Sequence, residues 1–501
     1  MKRRERKVMA ARKGNLERRL DRRNFKGAGA PIFSGGNIQY EMANRVRAVG
    51  CGGIGAIHSM VQALGLDKAI NDALHLLKIH APYFESDHVL NLAYNILTGG
   101  DCVEDIERLR EDETYMDGIG AERIPDPTTA GDFCRRFDEE AIVRWMEAVN
   151  DIREKVWAMQ DESFFDEAIV DIDATLAETD GECKEGIGLS HKGLWGYAPL
   201  MLSLANTREP LYLVNRSGNT PSCKDAARWI DRAIERLSKK FKKIVLRGDT
   251  DFSLTRKFDE WSEKADFIFG YDAKACMIQR AAALPQSAWT RLQRPPKYEV
   301  KTHERARREN VKERIVKEKG YKNIRLMCED VAEFDWRPTH CRKTYRMVVV
   351  RKNLSVERGE NVLFDDVRYF FYITTYRTRT QEQIVFSANK RCDQENLFGQ
   401  FHSGLAAMRM PLDNLYSNWA YMIAAALAWT LKAWYGLLVP DESESRQVVR
   451  MEFKKFLHNF LLLPCQIVRH ARRLIYRIAG FNHWLRTFFQ TYEVIRGLRF
   501  T

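Results

Sequence analysis

Apolar positions along the chain change their spacing three times. From about residue 52 to 160 they recur at helical intervals, as in Ala56–Leu64, Asp87–Leu97 and Asp138–Trp157. The pattern breaks at Gly99-Gly100 and at Ile124-Pro125-Asp126-Pro127. Thr129 followed by Asp132 has the form of a capping box opening a helix through Phe133. This stretch predicts a separate all-helical domain. From 167 to 272 the apolar runs shorten, predicting strands Ala168–Asp173, Pro199–Ala205, Leu211–Asn215, Lys243–Leu246 and Asp266–Tyr271. Helices are predicted over Lys224–Leu237 and around Leu254–Lys264. The order β-β-β-α-β-α-β implies a meander followed by parallel crossovers.

That order is the one an α/β RNase H-like core has. Pro295–Lys319 is highly charged, and the strand-like runs Ile324–Phe334, Thr344–Arg351 and Val367–Tyr376 follow it. Helical spacing resumes from Thr380. The organisation expected is therefore a basic arm over 1–30 and a helical domain over 31–160. The first part of the core spans 161–275, a β-rich insertion 276–375, the last part of the core 376–440, and a basic helical C-terminal domain 441–501. The most apolar long stretch, Leu415–Leu431, contains Ser417, Asn418 and Thr430 and is short for a membrane span, so it reads as a buried core helix.

Charge changes the picture of partners. The 501-residue chain carries a formal net charge of +12, and the excess sits at its ends. Residues 2–26 hold 12 Lys/Arg against three acids, a local +9, and Gln466–Thr501 holds seven Arg against Glu493, a local +6. Two basic ends suit a polyanion, and Arg3, Arg4, Arg18 and Arg19 are candidate phosphate contacts of the N-terminal arm. The ordinary alternative is a solvated basic tail. The ten Cys form no CxxC pair and no zinc spacing, which fits a reducing cytosol and no disulfide framework. No signal peptide or membrane segment is expected.

Candidate chemistry rests on three acidic positions. Ala168–Asp173 and Lys243–Leu246 each deliver a carboxylate at or just past a strand end, Asp173 and Asp249, where open α/β sheets gather ligands. Asp171 shares a strand face with Asp173 and is a possible alternative ligand. Asp251 reads as an N-cap for the following helix. Glu395 lies on a probable helix one turn after Arg391, where an ordinary i,i+4 ion pair is the competing explanation. Three carboxylates suit two Mg²⁺ about 4 Å apart, which can clamp the entering and leaving oxygens of a phosphodiester. Mn²⁺ is the alternative ion, and the oxygen donor set argues against zinc.

These segments resemble the DDE transposases of bacterial insertion sequences. Asp173-Ala174-Thr175 is similar to the first Asp motif of that family, and Arg247-Gly248-Asp249-Thr250-Asp251-Phe252 to the second. Asn389-Lys390-Arg391-Cys392-Asp393-Gln394-Glu395 is similar to the third, with Arg, three residues, then Glu on a helix. Gly193–Leu200, Leu97-Thr98-Gly99-Gly100 and Val103–Ile106 fit as well, and the insertion-sequence 1380 group is the nearest within the family. The resemblance departs at Ala388 and His402, where the family usually has Tyr and Lys. It implies catalytic, metal-holding roles for Asp173, Asp249 and Glu395, and a phosphate contact for Arg391. His402 and Arg247 become further DNA contacts. Trp289 or Trp336 would stack on an unpaired base near the DNA end, although packed tryptophans are the commoner case.

The function so implied is cut-and-paste DNA transposition. A homodimer would bind double-stranded DNA at terminal inverted repeats, nick it with water, and join the freed 3′-hydroxyl to target DNA. The expected location is the bacterial cytoplasm, associated with the nucleoid. Two other classes remain open at this point: a DNA-binding relative without catalysis, and an RNase H-like nuclease that does not join strands.

Overall fold

The computed structural model describes residues 3–21, 38–40, 46–294, 309–470 and 473–499. The expected arm residues 22–30 and the charged stretch 295–308 lie outside the described residues. A nine-stranded mixed sheet organises the molecule. Its strands are β1 (Ala168–Ala174), β2 (Leu200–Leu204), β3 (Glu209–Val214), β4 (Ile244–Gly248), β5 (Asp266–Tyr271), β6 (Thr290–Arg291), β7 (Lys322–Trp336), β8 (Tyr345–Arg358) and β9 (Asn361–Thr374). Their order across the sheet is β6-β7-β8-β9-β5-β4-β1-β2-β3. β1, β4 and β5 run parallel, whereas β2 and β3 are antiparallel additions on the β1 side.

The β-rich insertion is therefore not a body apart. β9 pairs with β5 from Phe371↔Tyr271 to Thr374↔Ile268 and extends the same sheet. It opens with a helix, Ala275–Ala282, and its strands outrun the apolar segments that announced them. Exposed polar residues continue the ladder in register once the central apolar pairs are fixed.

The helix Leu415–Leu437 is the hub. It is buried from Ser417 to Gly436, as its near-continuous apolar sequence requires. Its indole N–H groups satisfy main-chain acceptors, Trp419 to the Leu213 carbonyl at 2.6 Å and Trp429 to the Arg208 carbonyl at 2.6 Å. At Glu209, which is 0% exposed, three elements meet. Its carboxylate accepts from Arg153 Nε (2.9 Å), Trp157 Nε1 (3.1 Å) and Trp434 Nε1 (2.8 Å). A buried charge is tolerable with such partners.

Arg153 and Trp157 belong to the front helix Glu139–Trp157, so the front helices share a core with the sheet instead of standing as a separate domain. The helix Pro127–Cys134 starts at the Pro125-Asp126-Pro127 break: Asp126 caps it by accepting from Thr129 N at 2.9 Å, with Pro127 in its first turn. The Thr129–Asp132 capping box is thus displaced by one turn. The helix expected over Leu254–Lys264 shrinks to Phe258–Trp261.

Both ends of the chain differ from the sequence reading. Arg3–Leu20 is a helix with no buried residue, held by Arg12 Nη1 donating to the carbonyls of Ile478 (2.6 Å) and Gly480 (3.1 Å). The C-terminal region is not all-helical. It contains a hairpin, β10 (Cys465–His470) and β11 (Arg473–Ile478), whose free side pairs with the short strand Ala48–Val49. Both termini and the front helices thereby form one packed region. Among the described residues no helix is long and apolar enough to cross a membrane.

Candidate active site

Asp171 pairs with Arg247 in the parallel register of β1 and β4. Two residues further on, Asp173 and Asp249 leave the carboxyl ends of these adjacent strands side by side. The third acid arrives on the helix Cys392–Gly399. Gln394, buried in that helix, accepts from Ser203 Oγ and donates to the Met201 carbonyl of β2 at 3.4 Å. This seats the helix over β2, next to β1, and turns Glu395 toward the strand ends.

Arg391 joins the three. Its Nη1 lies 2.9 Å from Asp173 Oδ2 and its Nη2 3.8 Å from Glu395 Oε1. The expected ordinary Arg391–Glu395 pair is thus present, and the same guanidinium also reaches a second acid. Asp173 is 13% exposed and Glu395 62% exposed, so the site is closed on the strand side and open on the helix side. Burial pushes the Asp173 carboxyl up to about 6. Arg391 and the Ala174 N–H pull it down, and the charges of Asp249 and Glu395 add to the rise. Burial also raises Asp249, with Arg391 opposing and Asp251 adding to the rise. Asp173 and Glu395 share one guanidinium and Asp249 adds a third acid nearby, an all-oxygen set of the type a hard divalent cation takes.

Asp249 accepts from Asp251 N at 3.0 Å and caps the turn Thr250–Phe252. Asp251 does not cap the following helix, which begins at Phe258 with Lys257 at its N-cap. Asp171 is not a ligand. It is 1% exposed, and Arg247 Nε and Nη2 each lie 2.7 Å from one of its oxygens. Burial raises its carboxyl and Arg247 opposes the rise. Arg247, 3% exposed, also donates to the Ser387 carbonyl at 3.0 Å, so it is a core ion-pair partner and not a DNA contact. The parallel register was the signal for this pair.

The two tryptophans are packed. Trp289 is 9% exposed with the Arg351 guanidinium 4.2 Å from its ring centre. Trp336 is half-buried and donates to the Tyr271 hydroxyl at 3.4 Å. His402 is exposed on the π-helical turn Gln400–Gly404. Arg3, Arg4, Arg18 and Arg19 are exposed on the N-terminal helix, where Arg18 bonds the Gly14 carbonyl and Asn15. A compact group elsewhere, Asp101, Cys102 and Asp105, has ligand atoms within 4.8 Å of one another. Asp105 there accepts turn N–H groups and Asp101 pairs with Arg409, and both are satisfied without an ion.

Two acids at adjacent strand ends and a third on a helix place three carboxylates in the neighbourhood of Arg391. The chain belongs to the transposase DDE domain group 1 family, which matches residues 46–500. No curated protein matches the sequence. Among solved structures, a piggyBac transposase synaptic complex with hairpin DNA is similar at a TM-score of 0.32 and 10% identity, covering 82% of each chain.

Proposed function

We propose that the protein is an insertion-sequence transposase of the 1380 group. It binds terminal inverted repeats as a homodimer, cleaves DNA, and joins the 3′-hydroxyl ends to target DNA at the bacterial nucleoid. The observation that carries this reading is Arg391 held between Asp173 and Glu395, with Asp249 leaving the strand next to that of Asp173. The strand order β3-β2-β1-β4-β5, antiparallel on one side of β1 and parallel on the other, supports an RNase H-like core.

Asp173, Asp249 and Glu395 would hold two Mg²⁺, or Mn²⁺ in their place. When bound, these ions stabilise the charge that develops on the entering and leaving oxygens. Arg391 keeps a positive charge at the mouth and would exchange Asp173 for a substrate phosphate oxygen, a charge-assisted contact of similar strength. The buried ion pair Asp171–Arg247 fixes the two strand ends in register, so the acids are positioned before substrate arrives. In nicking, a water oxygen bonds to phosphorus as the 3′-oxygen leaves and takes up a proton. In joining, that 3′-hydroxyl attacks a target phosphodiester in the same sense.

The test is cleavage of a labelled duplex built from the DNA flanking the gene, with Mg²⁺, with EDTA, and with Asp249→Asn. Nicking at the repeat boundary that needs the cation, is lost in the variant by about 10³-fold or more, and is followed by joining supports the reading. Tight binding with no cleavage in any divalent cation would leave a DNA-binding relative. Nicking without joining would leave a nuclease.

A further inference from the structure

Beyond the triad, the exposed side of Glu395 opens into a groove. A cavity of about 420 Å³ lies between the helix Cys392–Gly399 and the β2–β3 turn, with Glu395, Arg208 and Arg450 among its lining and Trp429 as its floor. A second cavity, of about 710 Å³, continues from it through Arg450, Met451 and Glu452 to Arg446, Lys455 and Trp484. The lining of the two holds four cations, of which Arg208 pairs with Asp393 and Arg446 with Glu442, against Glu395 and Glu452. Glu395 is the acid that the proposed metals would neutralise. Among the described residues, Arg450 and Lys455 have no ion-pair partner. At the far end the Trp484 indole N–H has no hydrogen-bond partner.

The groove is built rigidly at its near end. Arg208 sits in the left-handed region at φ 59, a conformation that strains every residue but glycine. Its carbonyl accepts from Trp429 Nε1, its Nη1 donates to the Arg450 carbonyl at 3.2 Å, and its Nη2 reaches Asp393 at 3.3 Å. Gln400 Oε1 accepts from Phe453 N at 2.9 Å, tying the catalytic helix to the C-terminal region. A strained arginine that locks three elements together along a cationic channel is a feature of a binding surface more than of a core.

We propose that this groove carries a single polynucleotide strand away from the scissile phosphodiester, with Arg208, Arg450 and Lys455 as backbone contacts. The proposal rests on the transposase reading above and adds to it the class and course of a second bound segment. A channel that starts beside Glu395 and carries the unpaired cations Arg450 and Lys455 can follow a strand's phosphates without reading its bases.

Two fluorescein-labelled duplexes from the DNA flanking the gene test this, with EDTA present. One ends flush at the repeat boundary. The other continues past it as about 10 single-stranded nucleotides, within the range such grooves occupy. Wild type should bind the extended probe about 10-fold more tightly, and the double variant Arg450→Ala/Lys455→Ala should lose that ratio while holding the flush duplex unchanged. The slope of log K against log salt should fall by about 0.7 per lost contact. Arg450→Lys should keep most of the ratio, and Lys454→Ala, exposed on the same turn but outside the lining, should keep all of it. A ratio near one in wild type that still nicks the flush repeat with Mg²⁺ would overturn the groove alone. So would a ratio that the double variant preserves. Failure of wild type to bind or nick any of these duplexes would overturn the transposase reading, and the groove with it.

Discussion

Asp171 and Asp173 stand two residues apart on one face of one strand, and each meets an arginine. Asp171 is 1% exposed and bound at both oxygens by Arg247. Asp173 is 13% exposed and bound at one oxygen by Arg391, which it shares with Glu395. The first pair is closed and neutral. The second has more negative charge than its arginine balances. Residue type and spacing are the same in both, so the division of labour between structure and chemistry comes from the partner count, which only the tertiary arrangement sets.

The comparison is broken most sharply at Arg247. Arg247→Ala leaves a buried carboxylate without a partner, and removal of one member of such a pair costs about 3–5 kcal/mol. Urea denaturation monitored by circular dichroism should show a loss of that size. A loss under about 1 kcal/mol would mean that water reaches Asp171 and that the two acids differ less than their geometry says.

Asp173 should respond in the opposite direction. Its carboxyl ionises near 3.8 ordinarily and near 6 in the folded protein, so the folded state binds the extra proton between those values. Stability therefore falls as pH rises from about 4 to 6 and stays at the lower level above, a contribution on the order of 2 kcal/mol. Asp173→Asn should remove this fall and be more stable than wild type at pH 7.5. Millimolar Mg²⁺ should restore wild type by preferential binding to the folded state and should do little for the variant. Parallel pH profiles of thermal unfolding for the two proteins would refute this account.

The core strands are legible because each is an apolar run whose fate the sequence largely decides: Ala168–Asp173 and Asp266–Tyr271 match almost to the residue. What escaped depends on distant partners. The hairpin Cys465–Ile478 alternates buried and exposed residues in its first strand, but its third strand, Ala48–Val49, lies more than 400 residues away. The helix Arg3–Leu20 has no apolar face to announce it, and Arg12 anchors it to carbonyls at the end of that hairpin. Arg247 looked like a surface cation because no local window shows that β4 runs beside β1. The packing of the two tryptophans escaped for the same reason. Composition gives their size, whereas Arg351 over Trp289 and Tyr271 beside Trp336 are tertiary facts.

The finest test of the comparison is Arg391→Gln. Arg391 is the largest influence holding the Asp173 and Asp249 carboxyls down against burial, and glutamine keeps a hydrogen-bond donor while deleting the charge. The pH midpoint of the stability fall assigned to Asp173 should move upward, by roughly half a unit to one unit, the scale of one nearby charge in a partly open site. Removing a cation from beside the acids should also favour divalent binding, so Mn²⁺ should protect the variant at a lower concentration than wild type at pH 7.5. These two shifts are coupled, because protons and cations compete for the same oxygens. A midpoint that stays in place while cation affinity rises would show that Arg391 acts on Glu395 alone, and Asp173 would then be set by burial without help from its arginine. A midpoint that moves upward together with tighter cation binding would establish that one guanidinium holds the place of the missing positive charge for all three acids, the property that separates this pair from its closed neighbour two residues back.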